Sequence, residues 1–192
     1  FEKKDQDNKT LVNLYQKYDF SSWLRDMGAQ IENSSQEITN ELLIKPQADF
    51  VGTKDYQLIN KKNDLTLWIN EIRERKFFSI DTETNSLDTM KAELVGISLC
   101  INPGRACYIP LSHKNSSEDQ LSLTDVLDEF KPILEDSSIK KLGQNIKYDA
   151  HIFLNYGIKV NGISDDTMLM SYVIESNQNH GMDKLSAKYL GH

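Results

Sequence analysis

The stretch Phe77-Phe78-Ser79-Ile80-Asp81-Thr82-Glu83 constrains this chain most, because a run of strand-forming apolar residues ends in Asp-x-Glu. Residues two apart in a strand face the same way. The spacing therefore predicts a buried strand over Phe77–Asp81 that presents Asp81 and Glu83 side by side at its mouth. Two neighbouring carboxylates repel each other unless a cation lies between them, and hard oxygen ligands suit Mg²⁺ or Mn²⁺. The tripeptide by itself also fits a solvated turn after a strand.

The 192 residues allow one ordinary domain with an appendage, and 39% apolar with 27% charged residues is the composition of a soluble globular chain. No apolar run reaches the length of a membrane span, and Phe1-Glu2-Lys3-Lys4-Asp5 is not a secretory signal. The expected location is the cytoplasm, without a membrane partner and as a monomer. With 22 basic against 29 acidic residues, the net charge of −7 argues against a protein that grips nucleic acid by itself. Action on DNA remains open if metal ions neutralise the site and another domain supplies the grip.

Leu11, Leu14, Tyr15 and Tyr18 recur at helical spacing, followed by Phe20, Trp23, Leu24 and Met27. Residues 1–27 are thus expected to be an amphipathic helical segment that packs on a neighbouring domain. The polar stretch that follows, centred on Asn33-Ser34-Ser35-Gln36, reads as a linker over 28–50, with a folded domain over 51–192.

Within that domain the pattern predicts a strand at Tyr56–Ile59 and a helix from Asp64, as N-cap, to Arg75. Two strands, Ala92–Ile101 and Ala106–Leu111, read as a hairpin joined by Asn102-Pro103-Gly104-Arg105. That hairpin would place Cys100 opposite Cys107, as two reduced thiols. Ser122 to Glu135 reads as an amphipathic helix with Leu123, Val126, Leu127, Phe130, Ile133 and Leu134 on one face and Pro132 as an irregularity. A short strand at Ile139–Gly143, a helix from Asn145 to Tyr156 ended by Gly157, and helices over Asp166–Glu175 and Met182–Leu190 complete the pattern. Strands joined partly by hairpins and partly by helices imply an α/β fold, a mixed sheet flanked by helices.

Asn145-x-x-x-Asp149 is the second chemical element, since its spacing puts both side chains on one helical face. Asn145 as a helix cap and Asp149 as a first-turn anion is the structural alternative. Asp166 reads as an N-cap, and His113, His151, His180 and His192 show no metal-ligand spacing.

The pattern runs on from Asp81-Thr82-Glu83-Thr84-Asn85-Ser86-Leu87 through Ala92–Leu99 and Tyr108-Ile109-Pro110. It resumes at Gly143-Gln144-Asn145-Ile146-Lys147-Tyr148-Asp149, at Asp166-Thr167-Met168-Leu169 with Ser171-Tyr172, and at Met182-Asp183-Lys184-Leu185. In this order the motifs, over roughly Asp55 to His192, resemble the 3'-5' proofreading exonuclease domain of bacterial family A DNA polymerases, the DNA polymerase I type. The resemblance implies a ribonuclease H-like architecture, with residues 1–27 as the end of a preceding 5'-nuclease domain and a polymerase domain elsewhere in the parent chain. It further implies that Asp81, Glu83 and Asp149 are catalytic and hold Mg²⁺ or Mn²⁺, Asp81 bridging two ions, Glu83 on the ion that activates water and Asp149 on the second. The substrate would be the 3' end of single-stranded DNA. Leu87 would wedge against the terminal base, Gln144 and Asn145 would hydrogen-bond sugar or phosphate, and Thr82 and Thr84 would hold the 3' end.

That family pattern includes a third motif, Tyr-x-x-x-Asp on a helix, and the sequence ends at Gly191-His192 without it. The tyrosine would orient the attacking water and the aspartate would complete a metal shell, so an incomplete site of little activity by itself is expected. Two alternatives stand beside this reading: a non-catalytic domain that supports a polymerase, which retention of the carboxylates opposes, and an exoribonuclease of the ribonuclease D type.

Overall fold

The computed structural model describes residues 7–18, 20, 23–24, 54–114 and 119–191. The chain divides into two compact units, Phe1–Ile44 and Lys45–His192. In the first, α1 (Asn8–Lys17) starts at Asp7, whose side chain accepts a hydrogen bond from the Thr10 backbone N–H. Tyr15, Phe20 and Trp23 cluster with ring centroids 4.7 to 6.0 Å apart, so part of the expected apolar face packs on itself. The expected linker lies outside the described residues.

The second unit holds β1 (Asp55–Leu58), α2 (Lys62–Arg75), β2 (Phe77–Thr84), β3 (Leu94–Asn102), β4 (Arg105–Pro110), α3 (Leu123–Glu135) and β5 (Lys140–Gly143). After these come α4 (Ile146–Asn155), β6 (Ile163–Asp166), α5 (Thr167–Ile174) and α6 (Met182–Leu190). The strands form one six-stranded sheet in the order β1-β4-β3-β2-β5-β6. β2, β3 and β4 are joined antiparallel, while β1 with β4, β2 with β5, and β5 with β6 are parallel. The sheet is mixed and carries helices, as the alternation of hairpins and crossovers predicts.

Period-two burial separates its two faces. Phe78, Ile80, Ile97, Leu99, Cys107 and Ile109 are buried and share one core with Trp68, Ile69 and Ile72 of α2, Phe130, Ile133 and Leu134 of α3, and Ile152 and Phe153 of α4. The alternate set, Ser79, Asp81, Ser98, Cys100 and Tyr108, is partly exposed. Burying this much apolar surface at about 25 cal/mol per Å² is the main force holding β2 at the centre.

Several expectations need correction. β2 runs on to Thr84, three residues past the expected end at Asp81, so Glu83 also lies within the strand. The α2 cap position is Lys61, without a side-chain cap bond, and Asp64 sits inside the first turn. Cys100 pairs with Ala106 while Cys107 pairs with Leu99, a one-residue offset that points the two free thiols to opposite faces. β6 was not anticipated, because Ile163-Ser164-Asp165-Asp166 has neither apolar alternation nor β-branched enrichment beyond one residue.

Lys141 is the other surprise of the core. It is fully buried in β5, and its Nζ donates to the carbonyls of Asp136 at 2.7 Å and Ile139 at 2.8 Å. Burial brings its ammonium down to about 8, against the opposing pull of Asp136. The lysine satisfies carbonyls in the turn between α3 and β5, where the helical pattern has stopped supplying donors.

Candidate active site

The site is assembled around the end of β2. Asp81 pairs with Ser98, and Glu83 pairs with Gly96, so both carboxylates stand on the partly exposed face, two residues apart as the alternation requires. Burial pushes the Asp81 carboxyl above the usual carboxylate range, and the charge of Glu83 adds to it. Glu83 is exposed.

Thr82, between them, points to the other face and meets α4. Its backbone N–H donates to Asp149 Oδ1 at 2.8 Å and its hydroxyl donates to the same oxygen at 2.6 Å. Asp149 is buried, in the first turn of α4. Burial pushes its carboxyl up to about 6, the Thr82 bonds oppose this, and the charge of Asp81 adds to the rise. The Asp149 carboxyl thus feels the charge of Asp81.

The start of α4 is set by a contact from elsewhere. Asn145 takes a left-handed conformation with φ 58° and makes no side-chain cap bond. Its role as a side-chain cap is filled by Asp166, whose carboxylate accepts from the N–H groups of Asn145 at 3.0 Å and Ile146 at 3.1 Å. The same group caps α5, accepting from Met168 at 2.9 Å and Leu169 at 3.2 Å. Asp166 as an N-cap is thus observed, at two helices where one was expected.

Of the other residues singled out in the sequence, Thr84 shares a 2.6 Å hydrogen bond with the Tyr148 hydroxyl, which also donates to the Ser86 carbonyl at 2.6 Å. These bonds tie the chain after β2 to α4. Leu87 is 92% exposed just beyond and makes no part of the core. The Gln144 amide donates to the His180 carbonyl at 2.7 Å and its oxygen accepts from the Thr167 hydroxyl, so its polar atoms serve the link to α5 and α6. His180 is buried, hydrogen-bonded to Ser171 at 2.8 Å and stacked on Tyr172, while His151 is exposed. His192 lies outside the described residues. Tyr148 as an organiser of the segment after β2 was not singled out; its i−1 position to Asp149 on a helix start is the signal that carried it.

Among the described residues, no three His, Cys, Asp or Glu side chains are grouped so as to enclose a metal ion. The donor chemistry nonetheless fits a divalent cation. Asp81 and Glu83 are hard oxygen donors on one face, and the raised Asp81 and Asp149 carboxyls gain from a neighbouring positive charge. The residues fit part of an ion's shell and not the whole of it.

The mixed sheet with a parallel crossover through α4, flanked by helices, is a ribonuclease H-like fold. Ribonuclease D of Escherichia coli matches 72% of this chain and 34% of its own at a TM-score of 0.53 and 21% identity, which bears on the fold alone. The polymerase-domain structure of Pol1 from M. smegmatis, complexed with DNA primer-template and dNTP, matches 71% of this chain and 23% of its own at a TM-score of 0.58 and 18% identity.

The sequence pattern described as 3'-5' exonuclease matches residues 56–192, and the chain belongs to that family. DNA polymerase I of Pseudomonas aeruginosa is 34% identical over 188 residues, 96% of this chain and 20% of that protein. The chain spans about a fifth of the length of that relative.

Proposed function

We propose that this chain is the proofreading exonuclease domain of a DNA polymerase I type enzyme, removing the 3'-terminal nucleotide of single-stranded or frayed DNA by phosphodiester hydrolysis. One observation carries the reading: Asp81 and Glu83 share a face of β2 while the intervening Thr82 holds Asp149 of α4 from the other side. Two carboxylates stand on one face of β2 and a third is held to the same strand by Thr82, and burial raises the proton affinity of Asp81 and Asp149. Buried carboxylates of raised proton affinity cluster at functional sites, because folding alone gains nothing from the desolvation.

Asp81, Glu83 and Asp149 would hold Mg²⁺ or Mn²⁺, which would polarise the scissile phosphate and supply a hydroxide nucleophile at neutral pH. The chain's own residues position and exclude. Thr82 fixes Asp149 in one rotamer with both its donors, leaving Oδ2 for the site. Tyr148 holds the Thr84 hydroxyl and the Ser86 carbonyl, and so would place exposed Leu87 where a terminal base would stack. Thr84 and Asn145 would meet sugar and phosphate oxygens of the 3' end, and Gln144 would do so only by giving up its bonds to His180 and Thr167. The domain division is part of the same proposal: residues 1–27 close a preceding domain, 28–50 link, and 51–192 form the nuclease unit, working as a monomer in the cytoplasm.

The net charge of −7 implies that a polymerase domain of the parent protein provides the electrostatic grip on DNA. The test is a labelled 3'-end assay on the full-length protein. Asp149→Ala is expected to abolish trimming of single-stranded DNA and leave nucleotide incorporation nearly intact. Normal trimming would remove Asp149 from the chemistry, and faster trimming of RNA than of DNA would favour a ribonuclease D type activity.

A further inference from the structure

Gly96 stands directly opposite Glu83 in the sheet, and the place its side chain would fill is taken by another residue. A Cβ added to Gly96 would lie 1.9 Å from the Tyr108 hydroxyl oxygen and 2.4 Å from the ring carbon bearing it. Tyr108 pairs with Ser98, two residues along β3, so its ring reaches diagonally across the sheet on the same face as Asp81 and Glu83. Cβ atoms of directly opposed residues lie about 4.5–5.5 Å apart in an antiparallel pair. The Tyr108 hydroxyl therefore occupies the cross-strand neighbour position of Glu83, within reach of its flexible carboxylate.

This hydroxyl is also held from its other side. His113 Nε2 lies 2.6 Å from it, with the two rings edge-to-face. The His113 backbone is in turn gripped at both polar atoms by one side chain, its N–H donating to Gln120 Oε1 at 2.8 Å and its carbonyl accepting from Gln120 Nε2 at 3.1 Å. A phenol has one proton to give and can accept in return. If Nε2–H donates to the phenol oxygen, the phenol proton is free to point at Glu83. Tyr108 is part-buried, and Glu83's charge reaches it: burial foremost, then Glu83, raises its hydroxyl above the usual tyrosine range.

The geometry points to Tyr108 as a positioning residue for the exonuclease reaction, its hydroxyl held by His113 and orienting the Glu83 carboxylate across Gly96. The inference rests on the proposed exonuclease reading and adds a residue to it. Glu83 is exposed, and a long exposed carboxylate has several rotamers; a hydrogen bond from a fixed neighbour selects one before substrate or metal arrives. A small residue at position 96 is what lets a β4 side chain reach β2's neighbour space at all.

The experiment compares Tyr108→Phe, His113→Ala, the double variant and Asp81→Ala in the full-length protein, each checked for folding by thermal melting. Tyr108→Phe and His113→Ala are each expected to lower kcat for single-strand trimming roughly tenfold with KM within twofold, and the double variant to lose no more than either alone. Restoration of part of the rate by His113→Gln, which keeps a side-chain N–H, is also expected. Independently of activity, the ¹³C shift of the Glu83 carboxyl in metal-free protein should move in Tyr108→Phe. Wild-type kcat and an unmoved Glu83 shift in Tyr108→Phe, with Asp81→Ala inactive, would overturn the inference and leave the exonuclease reading standing. A rise in KM alone would overturn it too, by placing Tyr108 on the substrate. Normal trimming by Asp81→Ala would overturn both.

Discussion

Asp149 accepts both hydrogen bonds of Thr82 through a single oxygen, from the backbone N–H at 2.8 Å and from the hydroxyl at 2.6 Å. Sixty-seven residues separate the two in sequence, so the contact is a lock between the central strand and the helix that follows its neighbour. Two donors to one buried carboxylate stabilise its ionised form, yet burial outweighs them and leaves the group at about 6.

A pH dependence of stability follows from that value. In the metal-free protein the folded Asp149 carboxyl lies above its ordinary 3.8, so the folded state binds the proton more tightly than the unfolded chain. Its contribution is most favourable below the unfolded value, and it is lost as pH rises towards about 6, flat beyond. The full effect is at most about 3 kcal/mol. Asp149→Asn keeps an acceptor for Thr82 and removes the buried charge. Urea melts in chelator should show the variant more stable than the parent at pH 7.5 by about 1–3 kcal/mol, with the difference shrinking at pH 4.5.

Removing the Asp166 carboxylate should cost more than an ordinary helix cap. It serves four backbone N–H groups at the starts of α4 and α5, and it is 9% exposed. One lost cap costs about 1 kcal/mol, and two with buried donors left unpaired cost about 2–4 kcal/mol. Asp166→Ala should lower the urea midpoint accordingly, with Asp166→Asn recovering part of it. A change under about 0.5 kcal/mol would show that solvent replaces the carboxylate at both helices.

Gly162 sits at φ +72°, and a Cβ there would lie 2.6 Å from the Ile139 carbonyl oxygen and 2.8 Å from that of Ser137. Both obstacles are backbone of the turn entering β5, which cannot rotate away. Gly162→Ala therefore combines a left-handed penalty with a clash and should cost about 2–4 kcal/mol. Thermal melting checks it, with loss of the Lys141 amide bond to the Gly162 carbonyl visible as faster hydrogen exchange at Lys141.

Divalent-ion binding should depend on both strand carboxylates. With either removed, too few oxygen donors remain near a charge of +2. Calorimetry with Mn²⁺ should show at least tenfold weaker binding for Asp81→Ala and for Glu83→Ala, and weakening with falling pH because Asp81 takes up a proton above the ordinary carboxylate range. Unchanged affinity in both variants would dissociate the ion from this strand.

Local patterns were legible because they act over one or two turns of chain. The period of two placed Asp81 and Glu83 on one face, the 3.6 period picked out Val126, Leu127, Phe130, Ile133 and Leu134, and the Met182–Leu190 helix has the bounds its pattern implies. The helix expected over Ser122–Glu135 is observed as Leu123–Glu135, with Ser122 as its N-cap accepting from the Asp125 N–H. Asp64 was misread by the same logic, since an acidic residue is as favourable inside a first turn as before it.

What the sequence determined by itself was therefore the set of elements apart from β6, and the pairing of two carboxylates on one face of a strand. Only the tertiary structure decided that Thr82 and Asp149 meet, that Asp166 starts a helix twenty residues before it, that Lys141 is buried and that the Tyr108 hydroxyl fills the space over Gly96. Strand order and burial decide those contacts. Both follow from the competition of distant apolar surfaces for one core, which no window of local sequence contains.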